Sequence, residues 1–294
     1  MGLLDWLRSP YPARPQPRDT SPASTAAATR VLAIVLLREP VPADGQAVID
    51  HLRGQGVLGD PLFLPITDVS EERGMVVCRI PGGTVTIRSH PTPIPARELE
   101  RPVALAWQWP AAREEVAAHR GHILVEASST EADLMHLFGL QARLVGAVVA
   151  TTPSAGVYVP DAAMVRSRGD WLDEALTTER DNFSLLLWVG VNPVREADGR
   201  VSAYTTGMSR FGMMELEVWA SARGFQEMLD RVCDAIDDQV WRDRPLDDGE
   251  MFGYPVEDRH PVRHLPSRFA PGTRAVVLEG GEAAAGNPTT RQST

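Results

Sequence analysis

Ile123-Leu-Val-Glu-Ala-Ser128 and Leu216-Glu-Val-Trp-Ala-Ser221 are the two stretches on which the fold turns. Each reads as a strand closed by a small polar residue, and each runs into a helical pattern. The first helix spans about Glu131 to Val149 and the second about Phe225 to Val240. A loop and a short segment running from glycine through tyrosine to proline follow both: Gly156-Val-Tyr-Val-Pro160 and Gly253-Tyr254-Pro255. Val125 aligns with Val218 and Ser128 with Ser221, at a constant offset of 93 residues. The repeated order points either to an internal duplication or to the ordinary alternation of strands and helices in an α+β chain.

Working outward, the second helix carries one apolar stripe of Phe225, Met228, Leu229, Val232 and Ile236, with Glu227, Asp230, Asp234, Asp237 and Asp238 opposite. The first (Leu134, Leu137, Phe138, Leu144, Val145, Val148) is apolar over a wider arc and should be more deeply covered. Val31–Leu37 is a continuous apolar run and reads as a buried strand, and Asp44 reads as the N-cap of a helix to about Arg53. Met75–Ile80 and Thr84–Arg88 flank Pro81-Gly82-Gly83 as a hairpin. A proline-rich connection over Pro91–Pro95 leads to a helix around Ala111–His119. Ser184–Val191 and Arg200–Thr206 read as a second hairpin around Glu196-Ala-Asp-Gly199.

The expected fold is therefore α+β, with two similar halves of mainly antiparallel sheet and amphipathic helices packed on it. Residues 30–180 form the first half and 181–279 the second. Residues 1–29 read as a short apolar hook (Leu3, Leu4, Trp6, Leu7) on a flexible Pro/Ala/Ser linker, and 280–294 as a disordered tail.

Composition narrows the function classes. All basic side chains among the 29 Lys and Arg are arginine, so Schiff-base chemistry, P-loop phosphate binding and the kinase lysine are excluded. A net charge of −10 without a basic stripe argues against nucleic acid. Cys78 and Cys233 form no metal pattern and fit a reducing cytoplasm. The apolar runs near Phe183–Val191 and Leu144–Ala150 are shorter than a membrane span, so no transmembrane segment is expected.

Two polar groupings stand out. Glu215 and Glu217 should project to one face of a strand with Arg210 shortly before them. Such a pair serves either as acid and base in a cleft between the halves, for a hydrolase or another enzyme, or as two solvated acids beside an arginine. His122 and Glu126 share a face of the first strand, flanked by His119 and His136, in spacing that makes no metal motif. Arg259-His260 and Arg263-His264 lie among prolines and read as surface loop. No cofactor and no metal are expected.

The stretch Thr205-Thr-Gly-Met-Ser-Arg-Phe-Gly-Met-Met-Glu-Leu-Glu-Val-Trp219, with the helix after it and Leu246-Asp-Asp-Gly-Glu-Met-Phe-Gly-Tyr-Pro255, resembles an uncharacterised bacterial domain-of-unknown-function family, numbered 4261. Gly207, Phe211, Gly212, Glu215, Glu217, Gly249 and Gly253 match its pattern, whereas Met214 stands where the family is expected to have proline. The resemblance implies no reaction, and it implies an association of some members with toxin–immunity or secretion loci. The expected function is a non-enzymatic cytoplasmic binding module, immunity-type or secretion-associated, whose partner is another protein.

Overall fold

A computed structural model describes residues 29–279 apart from 57–65, 73, 178–183, 222–223 and 254–258. The hook and linker over 1–28, the tail, and the Tyr254-Pro255 segment lie outside the described residues.

Strands β1 (Thr29–Leu37), β2 (Asp68–Glu72), β3 (Met75–Ile80), β4 (Gly83–His90), β5 (Gly121–Ser129), β6 (Ser154–Val159) and β7 (Met164–Ser167) form one antiparallel sheet, ordered β2-β3-β4-β5-β1-β6-β7. A second sheet holds β8 (Gly190–Arg195), β9 (Val201–Thr206), β10 (Leu216–Ser221), β11 (Met251–Phe252), β12 (His260–Pro266) and β13 (Arg274–Glu279), ordered β11-β12-β13-β10-β9-β8. Its strands are antiparallel except where β10 runs parallel to β13. The helices are α1 (Gly45–Gly54), α2 (Ala96–Ala104), α3 (Ala112–Ala117), α4 (Leu134–Thr151), α5 (Arg168–Thr177) and α6 (Phe225–Arg242). This is the α+β, mainly antiparallel architecture that the sequence predicts. Both β5 and β10 follow a meander and enter a helix, but β5 lies against antiparallel β1 and β10 against parallel β13.

The caps explain where the helices start. Asp44 accepts the Ala47 N–H at 3.0 Å. The predicted start of α4 at Glu131 moves to Leu134, because Ser129 Oγ takes the N–H groups of Glu131 and Ala132 and Asp133 is the true N-cap. Two other expectations change. Ser184–Val191 is not a strand: Leu185–Leu187 is a 3₁₀ turn inside the core and the strand begins at Gly190. Of the Arg-His pairs, His260, Arg263 and His264 do not form loop, since His260–Pro266 is β12, paired with β11 and β13, while Arg259 precedes the strand.

One apolar core joins the two halves. Phe138 of α4 meets Trp188 at 4.7 Å and Phe211 at 5.0 Å, and Trp171 of α5 packs edge-on to Trp188 at 5.5 Å. Helix α4 is long and apolar enough to cross a membrane, yet 67% of it is buried, packed with α1, α5 and the first sheet. A second, smaller cluster lies on the opposite face of the first sheet, where Ile94, Leu99, Trp109 and Val116 of the α2–α3 layer cover Ile34 and Leu36. Strand β1 therefore buries both its faces, which is why it reads as an unbroken apolar run.

Candidate functional site

The polar grouping around Glu215 is built by a chain reversal. At Gly207 the backbone has φ +104°, and a Cβ there would lie 2.5 Å from the Trp188 carbonyl oxygen and 3.0 Å from Ala162 Cβ. Glycine thus lets the end of β9 press against the Trp188 carbonyl of its own half and against Ala162 of the first half. The 3₁₀ turn Met208–Phe211 follows, and the Glu215 carboxylate accepts N–H bonds from Gly207 at 3.0 Å and Met208 at 3.1 Å. Thr205 Oγ1 donates to it at 2.7 Å and accepts the Leu216 N–H at 2.8 Å. Glu215 thereby fastens the turn to β9.

Glu217 looks elsewhere. It is 1% exposed, and it accepts Trp219 Nε1–H at 2.7 Å, Ser267 Oγ–H at 2.5 Å and the Arg268 N–H at 3.2 Å. Those donors fold the β12–β13 turn back across the sheet, where Phe269 stacks on Tyr204 at 4.6 Å and the Arg268 guanidinium lies 5.2 Å from the Trp219 ring. Among the described residues the two carboxylates share no hydrogen-bond partner. Arg210 faces away from both, across the boundary between the halves. Its Nη2 sits 2.7 Å from Asp161 Oδ2, and its guanidinium lies 5.3 Å over Phe138. Burial holds the Arg210 pKa below the usual guanidinium value, with Asp161 opposing.

His122 and Glu126 belong to the first sheet, apart from that group. Glu126 pairs with Arg30 at 2.6 Å. His122 stacks on His90, directly opposite it in register, with ring centroids 4.7 Å apart. His136 pairs with the Asp133 cap. Among the described residues no group of three His, Cys, Asp or Glu is arranged to hold a metal.

Between the halves lies a cleft of about 40 Å³, and its lining includes neither Glu215 nor Glu217, the pair that the sequence offers for a cleft there. Leu105, Trp107 and Trp109 form one wall, Met164 and Arg166 of β7 the floor, and Val191 of β8 with Leu229 and Cys233 of α6 the other wall. Arg166 ties the floor together: Nη1–H donates to Gln108 Oε1 and Nη2–H to the Leu186 carbonyl, each at 2.5 Å. Trp107 donates its indole N–H to the Val191 carbonyl at 2.7 Å on the outer edge of β8, and Pro193 removes the N–H two residues along that edge. Trp107, which lines the cleft, meets Phe225 edge-on at 5.2 Å just outside that lining, and the two residues are 36% and 39% exposed.

The other motif positions now have places. Phe211 is core, Gly212 closes the 3₁₀ turn, Gly249 donates its N–H to Val262 O at 2.8 Å, and Gly253 follows β11. Residues 204–279 match the family model of a domain of unknown function, DUF4261. The DUF4261 segment is about a quarter of the chain and runs from within β9 through α6 to the end of β13. It contains Gly207, Arg210, Glu215, Glu217 and the Leu229–Cys233 wall of the cleft, but neither Trp107 nor Arg166. No curated protein and no solved structure matches the chain significantly.

Within the DUF4261 segment, Asp237 of α6 lies one turn beyond Cys233. Burial, reinforced by Asp234, pushes its carboxyl up to about 7 from an ordinary 3.8. A carboxyl whose pKa is raised by folding costs stability as pH rises from about 4 to about 7, and the loss is complete above that. Asp237→Asn should therefore stabilise the protein by about 1–3 kcal/mol at pH 8 and flatten its stability between pH 5 and 7. Urea unfolding at the two ends of that range checks this, and a variant less stable at pH 8 would show that the charged form is favoured in the native state.

Proposed function

We propose that the chain is a non-enzymatic module that binds another protein, and that the partner seats one apolar side chain in the cleft beside Trp107 and Phe225. The observation that carries this reading is the exposed Trp107–Phe225 pair at the mouth of an apolar cleft between the halves. Aromatic residues bordering a small pocket are the usual anchors of protein interfaces. A cleft of about 40 Å³ leaves room for the tip of one inserted side chain.

Charge supplies the rest of the partner's chemistry. The chain carries −10, Asp170 lines the cleft, and Glu227 and Asp230 follow Phe225 on α6. A basic polypeptide with a single apolar anchor fits that surface and would be steered toward it. An immunity-type protein meeting a basic toxin in the cytoplasm is one form of this reading, and a secretion-associated adaptor is another. The commitment of Glu215 and Glu217 to separate backbone donors supports assigning both to scaffolding.

The test is isothermal titration with ten-residue peptides carrying arginine flanks and one central Leu or Trp. Controls have a central Ala or acidic flanks. Trp107→Ala with Phe225→Ala should weaken binding at least about thirtyfold, the effect of losing roughly 2 kcal/mol. Equal affinity in the double variant, or no binding of any anchor peptide, defeats the proposal.

A further inference from the structure

The connection His90-Pro-Thr-Pro-Ile94 leaves the first sheet and enters α2, and three imidazoles hold it. His122 Nδ1–H donates to the Thr92 carbonyl at 2.8 Å. His119, 7% exposed, accepts the Ile94 N–H on Nε2 at 2.9 Å, and its Nδ1–H points to the Val116 carbonyl. His90, at the start of the connection, stacks on His122 with ring planes 12° apart, and its buried Nε2 has no hydrogen-bond partner among the described residues. The layer they fasten is the smaller apolar cluster, separate from the main core, and it continues through α2 to Trp107 and Trp109 on the cleft wall.

We propose that His90, His119 and His122 form a proton-sensitive latch, and that acidification releases the α2 layer and with it the Trp107 wall of the cleft. The geometry gives the sign. His119 Nε2 is an acceptor facing an N–H donor, so a proton on that nitrogen replaces the bond with two opposed donors. A proton on His122 places a charge inside the stack and the half-buried layer around it. Burial, with smaller contributions from His90 and His119, holds the His122 pKa below 6.5, while the Thr92 carbonyl works the other way. A histidine whose pKa is lowered by folding contributes fully above pH 6.5 and loses that contribution as pH falls below it.

The other charged groups on the surrounding elements are Arg88 on β4, Arg97, Glu98, Glu100 and Arg101 on α2, Arg113 and Glu114 on α3, Arg120 and Glu126 before and within β5, and the Arg38–Glu115 ion pair between the end of β1 and α3. The connection between His90 and α2 carries none. A small layer with its own minor core is the kind of unit that opens locally while the remainder stays folded.

The inference adds regulation to the proposed binding cleft, but its test uses the free protein and no peptide, so the two readings fail independently. Full-length protein labelled with 5-fluorotryptophan is followed by ¹⁹F NMR, with the Trp107 signal assigned by Trp107→Phe, and by amide exchange over residues 94–109. Exchange rates are corrected for intrinsic pH dependence. From pH 7.5 to 5.5 the Trp107 resonance should move and local opening should rise at least about tenfold. His119→Gln with His122→Gln keeps an acceptor for Ile94 and a donor for Thr92 but cannot titrate, so this variant should show neither change. An unresponsive wild type, or a double variant that responds as the wild type does, overturns the latch. If the double variant fails to fold at pH 7.5, the single variants decide. Each should reduce the response at least about threefold, and a full response in both is equally fatal.

Discussion

Glu217→Ala is expected to lower unfolding free energy by about 3–5 kcal/mol, the largest effect of any single change considered. The carboxylate is buried and accepts from an indole N–H, a hydroxyl and a backbone N–H, and alanine leaves all three donors without an acceptor. It also frees the β12–β13 turn, which lies over the sheet through Phe269 on Tyr204 and Arg268 on Trp219. Glu217→Gln keeps one oxygen and should cost only about 1–2 kcal/mol. Thermal unfolding separates the cases, because the alanine variant should melt roughly 10 °C lower. An alanine variant within about 0.5 kcal/mol of wild type would mean that water replaces the carboxylate and that Glu217 is free for another role.

Gly207→Ala should cost about 2–4 kcal/mol for a different reason. Its backbone is left-handed at φ +104°, and the new Cβ would meet a main-chain oxygen at 2.5 Å, which cannot rotate away. Gly212 provides the control. It is also left-handed, at φ +70°, but has open space around the missing Cβ, so Gly212→Ala should cost only about 1–2 kcal/mol. The difference between the two variants measures how closely the end of β9 is pressed against Trp188 and Ala162. Equal costs would locate the whole effect in the backbone dihedral and leave the contact with Trp188 and Ala162 without energetic weight.

Much of the fold was legible because its signals are local. Asp44 and the apolar stripe of α6 belong to single elements, and the structure keeps Asp44 as cap and Met228, Leu229, Val232 and Ile236 as core, whereas Phe225 at the head of the stripe is exposed. Misreadings arose where a pattern has two physical solutions. Leu185–Val189 is apolar at every position, which suits either a buried strand or a turn sunk in the core, and Trp188 filling the shared core selects the turn. Arg263 and His264 of β12 looked like loop because their strand character comes from pairing with Val277 and Val276 of β13, more than ten residues away in the chain.

The site was less legible than the fold. Glu215 and Glu217 stood out as a pair because two carboxylates alternate in a strand. Their partners are spread from Thr205 to Arg268, and no spacing rule separates a saturated carboxylate from a reactive one. Trp107 gave no signal at all. A tryptophan between prolines is ordinary, and its importance arises from meeting Phe225, 118 positions later. Arg166, a cation within the apolar strand Met164-Val-Arg, was the one detectable hint, since a buried arginine must be compensated by partners such as Gln108 and the Leu186 carbonyl.

The shared core has a consequence for how such chains diversify. The stretch with recognisable kinship begins inside β9, so it excludes β8 and Trp188, on which its own sheet and packing depend. Kinship and autonomy therefore have different borders in this molecule. A lineage that carried residues 204–279 into a new protein would have to supply, from unrelated sequence, a substitute for the surface that α4, α5 and Trp188 present here.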